Sequence, residues 1–416
     1  MTSWADTSSN TLDRAPVYRL IVQKNDSAKT LDKLLRHNHA AHTVLRNPRL
    51  LFHNHIPHVL GSSYLLGASS TKLEDIYAAV APSLAAVDGG VLRNAITREN
   101  WRGYLGQKKY TAAHVDYFDS EVEKNGGNWN KVVENHLYSG PELLLNGLSG
   151  GLGHPFIHLA YGYEFDSKKV ITEALSLGCT EYDQTHKYLD SSPPDNSTYK
   201  TTSLAETLEK LHNDNRFDDY SQDLGFANIF TLLSQCELEV LGHWNALVVE
   251  DATTQLTDWL QTAVALAVSA VNAEGGLDFY LAHVLTVGHA LRILLPLMPE
   301  QHRIPVMKQY GLLTILIYLA QLRPSFGVDA IKSLRVDHAS WDAIYRSTLE
   351  SKWSNDEHWA KVVRALKAVE ELRGYEDGFY QQAAVKFMAD FDGWTGFGLG
   401  AVPFIDGRVT EALLAA

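Results

Sequence analysis

Two residues near the C-terminal end of the chain, His358 and Lys361, could do chemistry in an apolar setting. The surrounding pattern predicts a helix over residues 355–373. At roughly 100° per residue, His358 falls near the centre of its apolar stripe and Lys361 at the edge. The exposed arc of this helix is assigned to Arg364, Lys367 and Glu371. Burial disfavours an ammonium ion, so a lysine at this position must be paired or neutralised.

A second pair of histidines, His154 and His158, has the spacing of a metal site. Pro155 fits the first position of a helix, which places His154 at the helix N-terminus and His158 one turn further on. Both share a stripe with Tyr161 and Phe165, and the i, i+4 geometry offers two imidazoles to one metal ion. The positive end of the helix dipole also favours the neutral imidazole that binds metals. A pair of hydrogen-bonded core histidines explains the same pattern equally well.

Other polar residues in apolar surroundings carry weaker signals. His283 and Thr286 lie one turn apart inside the apolar run 279–295, where either one alone is typical of a satisfied core residue. An imidazole-rich segment that precedes the apolar run 59–66 contains His53, His55 and His58. The histidines predicted to lie on a solvated helix face, among basic neighbours, are His37, His39 and His42.

Composition excludes several classes of function. The 416 residues carry a formal net charge of −13, which gives no electrostatic footprint for nucleic acid. Residues 1–16 lack the basic and apolar blocks of a signal peptide, and the apolar stretch 312–322 is too short to span a bilayer. Only two cysteines occur, without a Cys-x-x-Cys motif, which suits a reducing compartment. We therefore expect a cytoplasmic protein that binds neither nucleic acid nor membrane.

The elements that must position these residues are helical. Capping-box spacing predicts helix starts at Thr71 and Ser203, and at Ser354 for the helix that carries His358. Residues 255–271 and 279–295 are apolar over several turns, and the second run is apolar nearly all round, which indicates a central buried helix. Sustained alternation typical of strands is almost absent. The sequence predicts an all-α fold with many helices in a single large domain.

The predicted domain organisation is simple. Residues 1–30 form a polar N-terminal segment, and residues 31–416 form the catalytic domain. The loop at 190–195 allows an alternative division into two lobes near 190–200.

Taken together and in order, these motifs resemble the questin oxidase-like family of fungal and bacterial secondary metabolism. The resemblance runs from about Leu31 to the C-terminus. It is carried by His53-Asn-His55-Ile-Pro-His58 with Leu66-Gly-Ala-Ser69, by Gly151-Leu-Gly-His-Pro-Phe-Ile-His158, by His283-Val-Leu-Thr286, and by Asp356-Glu-His-Trp-Ala-Lys361.

The resemblance implies an all-α enzyme that oxidatively opens an anthraquinone-type polyketide ring, by Baeyer–Villiger-like or dioxygenase chemistry. It also implies mononuclear Fe(II), dioxygen as co-substrate and a carboxylated lysine as a ligand. The metal ligands it suggests are His154, His158, His283, His358 and Lys361, without deciding which four histidines touch the metal. It suggests catalytic or supporting roles for His55, His58 and Thr286. Tyr161 and Tyr163 are the residues expected to contribute to an aromatic substrate pocket.

Three alternatives remain open on the sequence. The first is an NADPH-dependent Baeyer–Villiger-type oxidase of the same substrate class, although no reducing-cofactor motif is visible. The second is a metallohydrolase, which would require the strands of a (β/α)₈ barrel. The third is a non-enzymatic helical scaffold whose histidines are structural. The sequence does not indicate an oligomeric state.

Overall fold

The described residues fold into helices packed around one large apolar core, with a small separate cluster of Val44, Leu45 and Leu177. The computed structural model describes residues 12–45, 52–87, 95–333 and 339–398. Over these residues there are eighteen α-helices and no strand, so the predicted all-α fold is confirmed. The helices are α1 (Asp26–Ala41), α2 (Ile56–Leu65), α3 (Ser70–Val80), α4 (Thr111–Lys124), α5 (Trp129–Leu137), α6 (His154–Glu164), α7 (Lys168–Thr180), α8 (Lys187–Asp190), α9 (Leu204–His212), α10 (Asn228–Gln235), α11 (Glu237–Ala246), α12 (Ala252–Ser269), α13 (Phe279–Leu294), α14 (Arg303–Ala320), α15 (Asp329–Lys332), α16 (Trp341–Glu350), α17 (Trp359–Arg373) and α18 (Phe379–Asp390).

Helix α13 is the central helix that the apolar run predicts. It packs against α6, α12, α14 and α17, and nearly all of its residues are buried. The segment Phe279–Leu297 is long and apolar enough to cross a membrane by length and composition, which the shorter stretch 312–322 is not. However, 83% of its 18-residue window is buried inside the protein, as in a core helix.

Two predicted helix starts are confirmed and one is displaced. Helix α6 begins at His154, with Pro155 in its first turn and Gly153 before it at a φ of 74°. Ser203 caps α9, where its hydroxyl accepts a hydrogen bond from the amide of Glu206. Helix α3, however, is capped by Ser69, two residues before the predicted Thr71.

The start of the helix that carries Lys361 differs from the prediction. Helix α17 begins at Trp359, so His358 is its N-cap residue and lies outside the regular turns. The carboxylate of Asp356 accepts hydrogen bonds from the amides of His358 and Trp359, both at 2.9 Å. Ser354 instead accepts a hydrogen bond from the Lys72 ammonium. The predicted capping box is wrong because a carboxylate two residues closer satisfies the same free amides.

Arg364 was assigned to the exposed arc of this helix, and that assignment is also wrong. Its guanidinium is buried and forms an ion pair with Glu164 of α6. The guanidinium carbon also lies 5.1 Å from the ring centre of Tyr161. A buried arginine is tolerated here because a carboxylate on a neighbouring helix neutralises it.

Helices α2 and α6 pack unusually closely, which brings their histidines together. A Cβ atom added at Gly61 of α2 would lie 2.6 Å from Phe165 and 2.9 Å from Tyr161.

Gly61→Ala should therefore lower the free energy of unfolding by about 1–3 kcal/mol through overpacking. The matched control is Gly242→Ala in α11, whose Cβ would meet Asn196 at 3.6 Å, an ordinary contact. The control should gain about 0.5–1 kcal/mol in helix propensity. Urea denaturation of both variants checks this, and a gain for both would contradict the close packing.

Candidate metal centre

Four histidines from four separate elements form a closed ring of imidazoles in the core. His55 precedes α2, His154 opens α6, His283 lies in α13, and His358 caps α17. Ring centres are 4.8 Å apart for His55 and His154, and 5.0 Å for His154 and His283. The ring closes through His283 and His358 at 4.9 Å and through His358 and His55 at 4.7 Å. We call these residues the four-histidine cluster.

Hydrogen bonds fix the tautomers of three cluster members. The Nδ1 atoms of His55, His154 and His283 lie 2.7, 2.5 and 2.7 Å from backbone carbonyl oxygens. A carbonyl oxygen can only accept, so each Nδ1 carries the proton and each Nε2 carries a lone pair. The Nε2 atoms of His55 and His154 are 2.8 Å apart. Two lone pairs at this distance repel each other unless a cation or a proton lies between them.

Three further polar atoms at the cluster are buried without a hydrogen-bond partner among the described residues. They are His283 Nε2, His358 Nε2 and Lys361 Nζ. One ligand atom from each of His55, His154 and His358 also lies within 4.8 Å of the other two. Buried polar atoms are normally satisfied, and imidazole nitrogens suit iron, zinc, nickel or copper. The donor set therefore fits a transition-metal ion.

Electrostatics favour the forms that bind metals. Burial lowers the pKa of His154, His283 and His358 well below the usual range, and the charge of Lys361 lowers the last two further. Burial also lowers the pKa of Lys361 to about 7, against the opposing charge of Glu357. Neutral imidazoles and a neutral amine are thus accessible near neutral pH. The neutral amine is the form that can add carbon dioxide to give a carbamate.

The structure places His158 behind the cluster rather than in it. Its Nε2 lies 2.9 Å from Glu173 Oε2, and its Nδ1 lies 3.1 Å from His58 Nε2. Both nitrogens therefore already have partners. His58 is fully buried and packs edge-on against His55, with ring centres 5.2 Å apart. Its Nδ1 has no hydrogen-bond partner among the described residues.

The remaining residues of the sequence-based site are dispersed. The Thr286 hydroxyl is buried and donates to the carbonyl of His283, 3.3 Å away. Tyr161 stacks on His58 with ring centres 5.1 Å apart, and its hydroxyl bonds Ser62. Tyr163 packs edge-on against Trp129 on another face of α6. Neither tyrosine lines the large cavity described next.

A cavity of about 790 Å³ reaches His55 and His154 of the cluster. Its walls are mostly apolar and aromatic and include Phe226, Phe230, Phe279, Tyr280, Leu313 and Phe397. This volume and lining are typical of a small-molecule site. The sequence motifs gave no sign of these wall residues, because they come from segments far apart in sequence and are ordinary core types.

The cavity also has a polar end that sequence reasoning missed. His53 stacks on His154 with ring centres 3.9 Å apart, and its Nε2 lies 3.0 Å from Glu181 Oε1. Lys108 donates to the same oxygen at 2.9 Å. His53, Lys108 and Glu181 all line the cavity. Glu181 lies 128 residues from His53, so only the fold reveals the pairing.

The solvated role predicted for His39 is wrong. Its side chain is only 7% exposed, and its nitrogens lie 2.8 Å from Glu173 and 2.9 Å from Asp119. The prediction failed because these carboxylates are 134 and 80 residues away in sequence, whereas the local neighbours are basic.

The fold is all-helical over the described residues, and its buried imidazole cluster opens onto an apolar cavity. Comparison with known proteins identifies the family to which the chain belongs. The model of the family described as Questin oxidase-like matches residues 52–366, which include the whole four-histidine cluster and Lys361. The chain belongs to the questin oxidase-like family.

Curated relatives match the sequence over most of the chain. It is 24% identical to the Baeyer-Villiger oxidase ptaJ of Pestalotiopsis fici, covering 90% of this chain and 88% of that protein. It is 25% identical to the Baeyer-Villiger monooxygenase AacuH of Aspergillus aculeatus, covering 84% of this chain and 80% of that protein. It is 23% identical to the questin oxidase of Aspergillus fumigatus, covering 83% of this chain and 82% of that protein. The protein is therefore an oxidoreductase.

Proposed function

We propose that this protein is an iron-dependent dioxygenase that cleaves a ring of an anthraquinone-type polyketide, with dioxygen as co-substrate. The observation that carries the proposal is the convergence of imidazole lone pairs beside a large apolar cavity. The relatives named as questin oxidase and Baeyer-Villiger oxidases support oxidative cleavage of this substrate class. The all-helical fold of the described residues offers no (β/α)₈ barrel, which argues against a metallohydrolase.

The proposed ligands are His55, His154, His283 and His358, with a carboxylated Lys361. This set replaces His158 of the sequence-based set by His55, because the nitrogens of His158 already bond Glu173 and His58. A carbamate would convert the unpartnered Lys361 amine into an anionic oxygen donor. It would also balance part of the positive charge of a divalent ion in the core.

Bound Fe(II) would supply the one-electron chemistry that lets dioxygen react with an organic ring. The protein's residues bind and orient the substrate. The apolar walls of the cavity exclude water and hold a flat aromatic molecule against His55 and His154. His58 packs behind His55, and we propose that it is the base that accepts a phenolic proton of the substrate. Thr286 keeps its proposed role as a hydrogen-bond partner for oxygen or substrate.

An NADPH-dependent Baeyer–Villiger oxidase is the second candidate, because relatives carry that reaction in their names. The two functions differ in stoichiometry. A dioxygenase places both atoms of dioxygen in its products and needs no external reductant. A Baeyer–Villiger monooxygenase inserts one atom, reduces the other to water, and consumes NADPH.

The test is to supply the purified protein with hydroxyanthraquinones under ¹⁸O₂, with and without NADPH, in iron-loaded, zinc-loaded and chelator-treated forms. The zinc form is the matched control, since zinc takes the same ligands but has no redox chemistry. We expect ring-opened product with two labelled oxygens, from the iron form only and without NADPH. One labelled oxygen together with NADPH consumption would select the second candidate. Turnover by the chelator-treated and zinc forms equal to that of the iron form would reject the iron proposal.

A further inference from the structure

A chain of hydrogen bonds, buried at its inner end and partly buried at its outer end, links the cluster region to a separate surface cleft. It runs from His58 Nε2 to His158 Nδ1 at 3.1 Å, and from His158 Nε2 to Glu173 Oε2 at 2.9 Å. From there it runs from Glu173 Oε1 to His39 Nδ1 at 2.8 Å and from His39 Nε2 to Asp119 Oδ2 at 2.9 Å. The last three residues line a cleft of about 200 Å³ that shares none of the large cavity's lining residues.

The far end of the chain is held in a charged state. Both nitrogens of His39 face carboxylates, so both carry protons. Burial alone would lower the pKa of His39, but the hydrogen bonds with Asp119 and Glu173 outweigh it and raise the pKa to about 9. Burial would likewise raise the pKa of Glu173, but hydrogen bonds from His158 and His39 bring it below its ordinary value. Glu173 is therefore a carboxylate at neutral pH and can only accept hydrogen bonds.

This fixed acceptor dictates the tautomers along the rest of the chain. Because Glu173 accepts from His158 Nε2, that nitrogen carries the proton and His158 Nδ1 carries a lone pair. His158 Nδ1 must in turn accept from His58 Nε2. The lone pair of His58 is then left on Nδ1, the nitrogen without a partner among the described residues. A buried lone pair without a partner costs less than a buried N–H without one, which agrees with this assignment.

We infer that Glu173 is a positioning residue, which acts through His158 to hold His58 with Nδ1 as a hydrogen-bond acceptor beside the cluster. His39 and Asp119 keep Glu173 in place from the far side. The inference rests on the proposed function for its kinetic consequence only. The tautomers themselves follow from the hydrogen bonds, whatever the reaction is. The arrangement is specific to this carboxylate, because it joins α7 to histidines of both α1 and α6.

The kinetic test compares Glu173→Ala with Glu173→Gln. Alanine removes the acceptor, so kcat should fall about 10²-fold while KM and iron content stay near wild-type values. Glutamine can still accept from His158 through its carbonyl oxygen and donate to a neutral His39 through its amide. Glu173→Gln should therefore recover most of the lost kcat. A role in stability alone would leave kcat per iron unchanged in both variants, and that result would overturn the inference.

The matched control is Asp214→Ala, which removes the carboxylate partner of another buried histidine, His243, at 2.8 Å. That pair bonds Tyr199 at its other nitrogen and does not reach the cluster. Like Glu173→Ala, this substitution removes a carboxylate from a buried histidine, but it does so away from the cluster, so kcat per iron should remain at the wild-type level. A loss in this control as large as in Glu173→Ala would mean that any buried His–carboxylate pair matters equally, against the inference.

A second measurement separates this inference from the proposed function. The ¹⁵N chemical shifts of labelled histidines show which ring nitrogen bears the proton, in protein whose iron is replaced by diamagnetic zinc. Wild-type His58 and His158 should both be protonated at Nε2, and Glu173→Ala should lose that preference. If turnover of anthraquinones is absent but these tautomers are found, the proposed reaction fails and the positioning role stands. A proton on Nδ1 of wild-type His58 would overturn the positioning role itself.

Discussion

Lys361→Ala and Lys361→Arg are both expected to lose bound iron and to lower turnover by on the order of 10³-fold. Lys361 Nζ is buried without a hydrogen-bond partner among the described residues, and burial lowers its pKa to about 7. Alanine has no amine to carboxylate. Arginine stays cationic and would place a positive charge where the proposed metal site has an anionic ligand. Iron analysis and turnover of each variant provide the measurement.

Lys361→Met separates ligation from structural support. It replaces an unpartnered buried amine by an apolar chain of similar length. The metal-free variant should therefore be as stable as the metal-free wild type, or more stable by about 1–3 kcal/mol. The control is Lys308→Met, which removes a half-buried lysine that donates to backbone carbonyls, including that of Leu247 at 2.8 Å. The control should lose stability but keep iron and turnover. Full iron in Lys361→Arg or Lys361→Met would refute ligation by this residue.

His55→Ala and His58→Ala should separate the cluster from its neighbour, although only two residues lie between these two positions. His55 Nε2 lies 2.8 Å from His154 Nε2, whereas His58 Nε2 bonds His158. His55→Ala should therefore lose iron together with turnover. His58→Ala should keep iron near the wild-type level and lose about 10²–10⁴-fold in kcat, the contribution of a positioned base.

Two further substitutions calibrate that comparison. His154→Ala should behave like His55→Ala, and His158→Ala should behave like His58→Ala, because the second pair lies outside the cluster. Iron content measured in parallel with kcat distinguishes the two groups. If His158→Ala arrives without iron while His55→Ala retains it, the sequence-based ligand set is correct and the assignment made from the structure must be withdrawn.

Much of the fold could be predicted because its signals are local. Pro155 marks the start of α6, and the all-round apolar pattern of 279–295 marks the central helix. The errors arose where two signals compete within a few residues. Ser354 matches a capping box, but Asp356 lies closer to the first regular turn and a carboxylate accepts from two amides there. Sequence spacing alone does not rank these two caps.

The site was predictable in its membership but not in its connections. The motifs identified every histidine of the cluster, and Lys361 stood out by its position near an apolar stripe. The roles that the sequence suggests for His55 and His158 differ from those we propose from the structure, because their partners, His154 and Glu173, face them across helix interfaces. The same limitation hid His39, whose carboxylates are distant in sequence. Helical phase shows which side of a helix is buried, but it does not show what that side contacts.

The four imidazoles of the cluster are spread along the sequence from His55 to His358. During synthesis from the N-terminus, His55 and His154 emerge from the ribosome long before His283 and His358. A nascent chain that has emerged only as far as α12 can present at most two members of the cluster. Under the proposed function, iron would therefore be acquired after translation is nearly complete, and a prematurely terminated chain would lack both the full candidate metal site and the proposed oxygen reactivity.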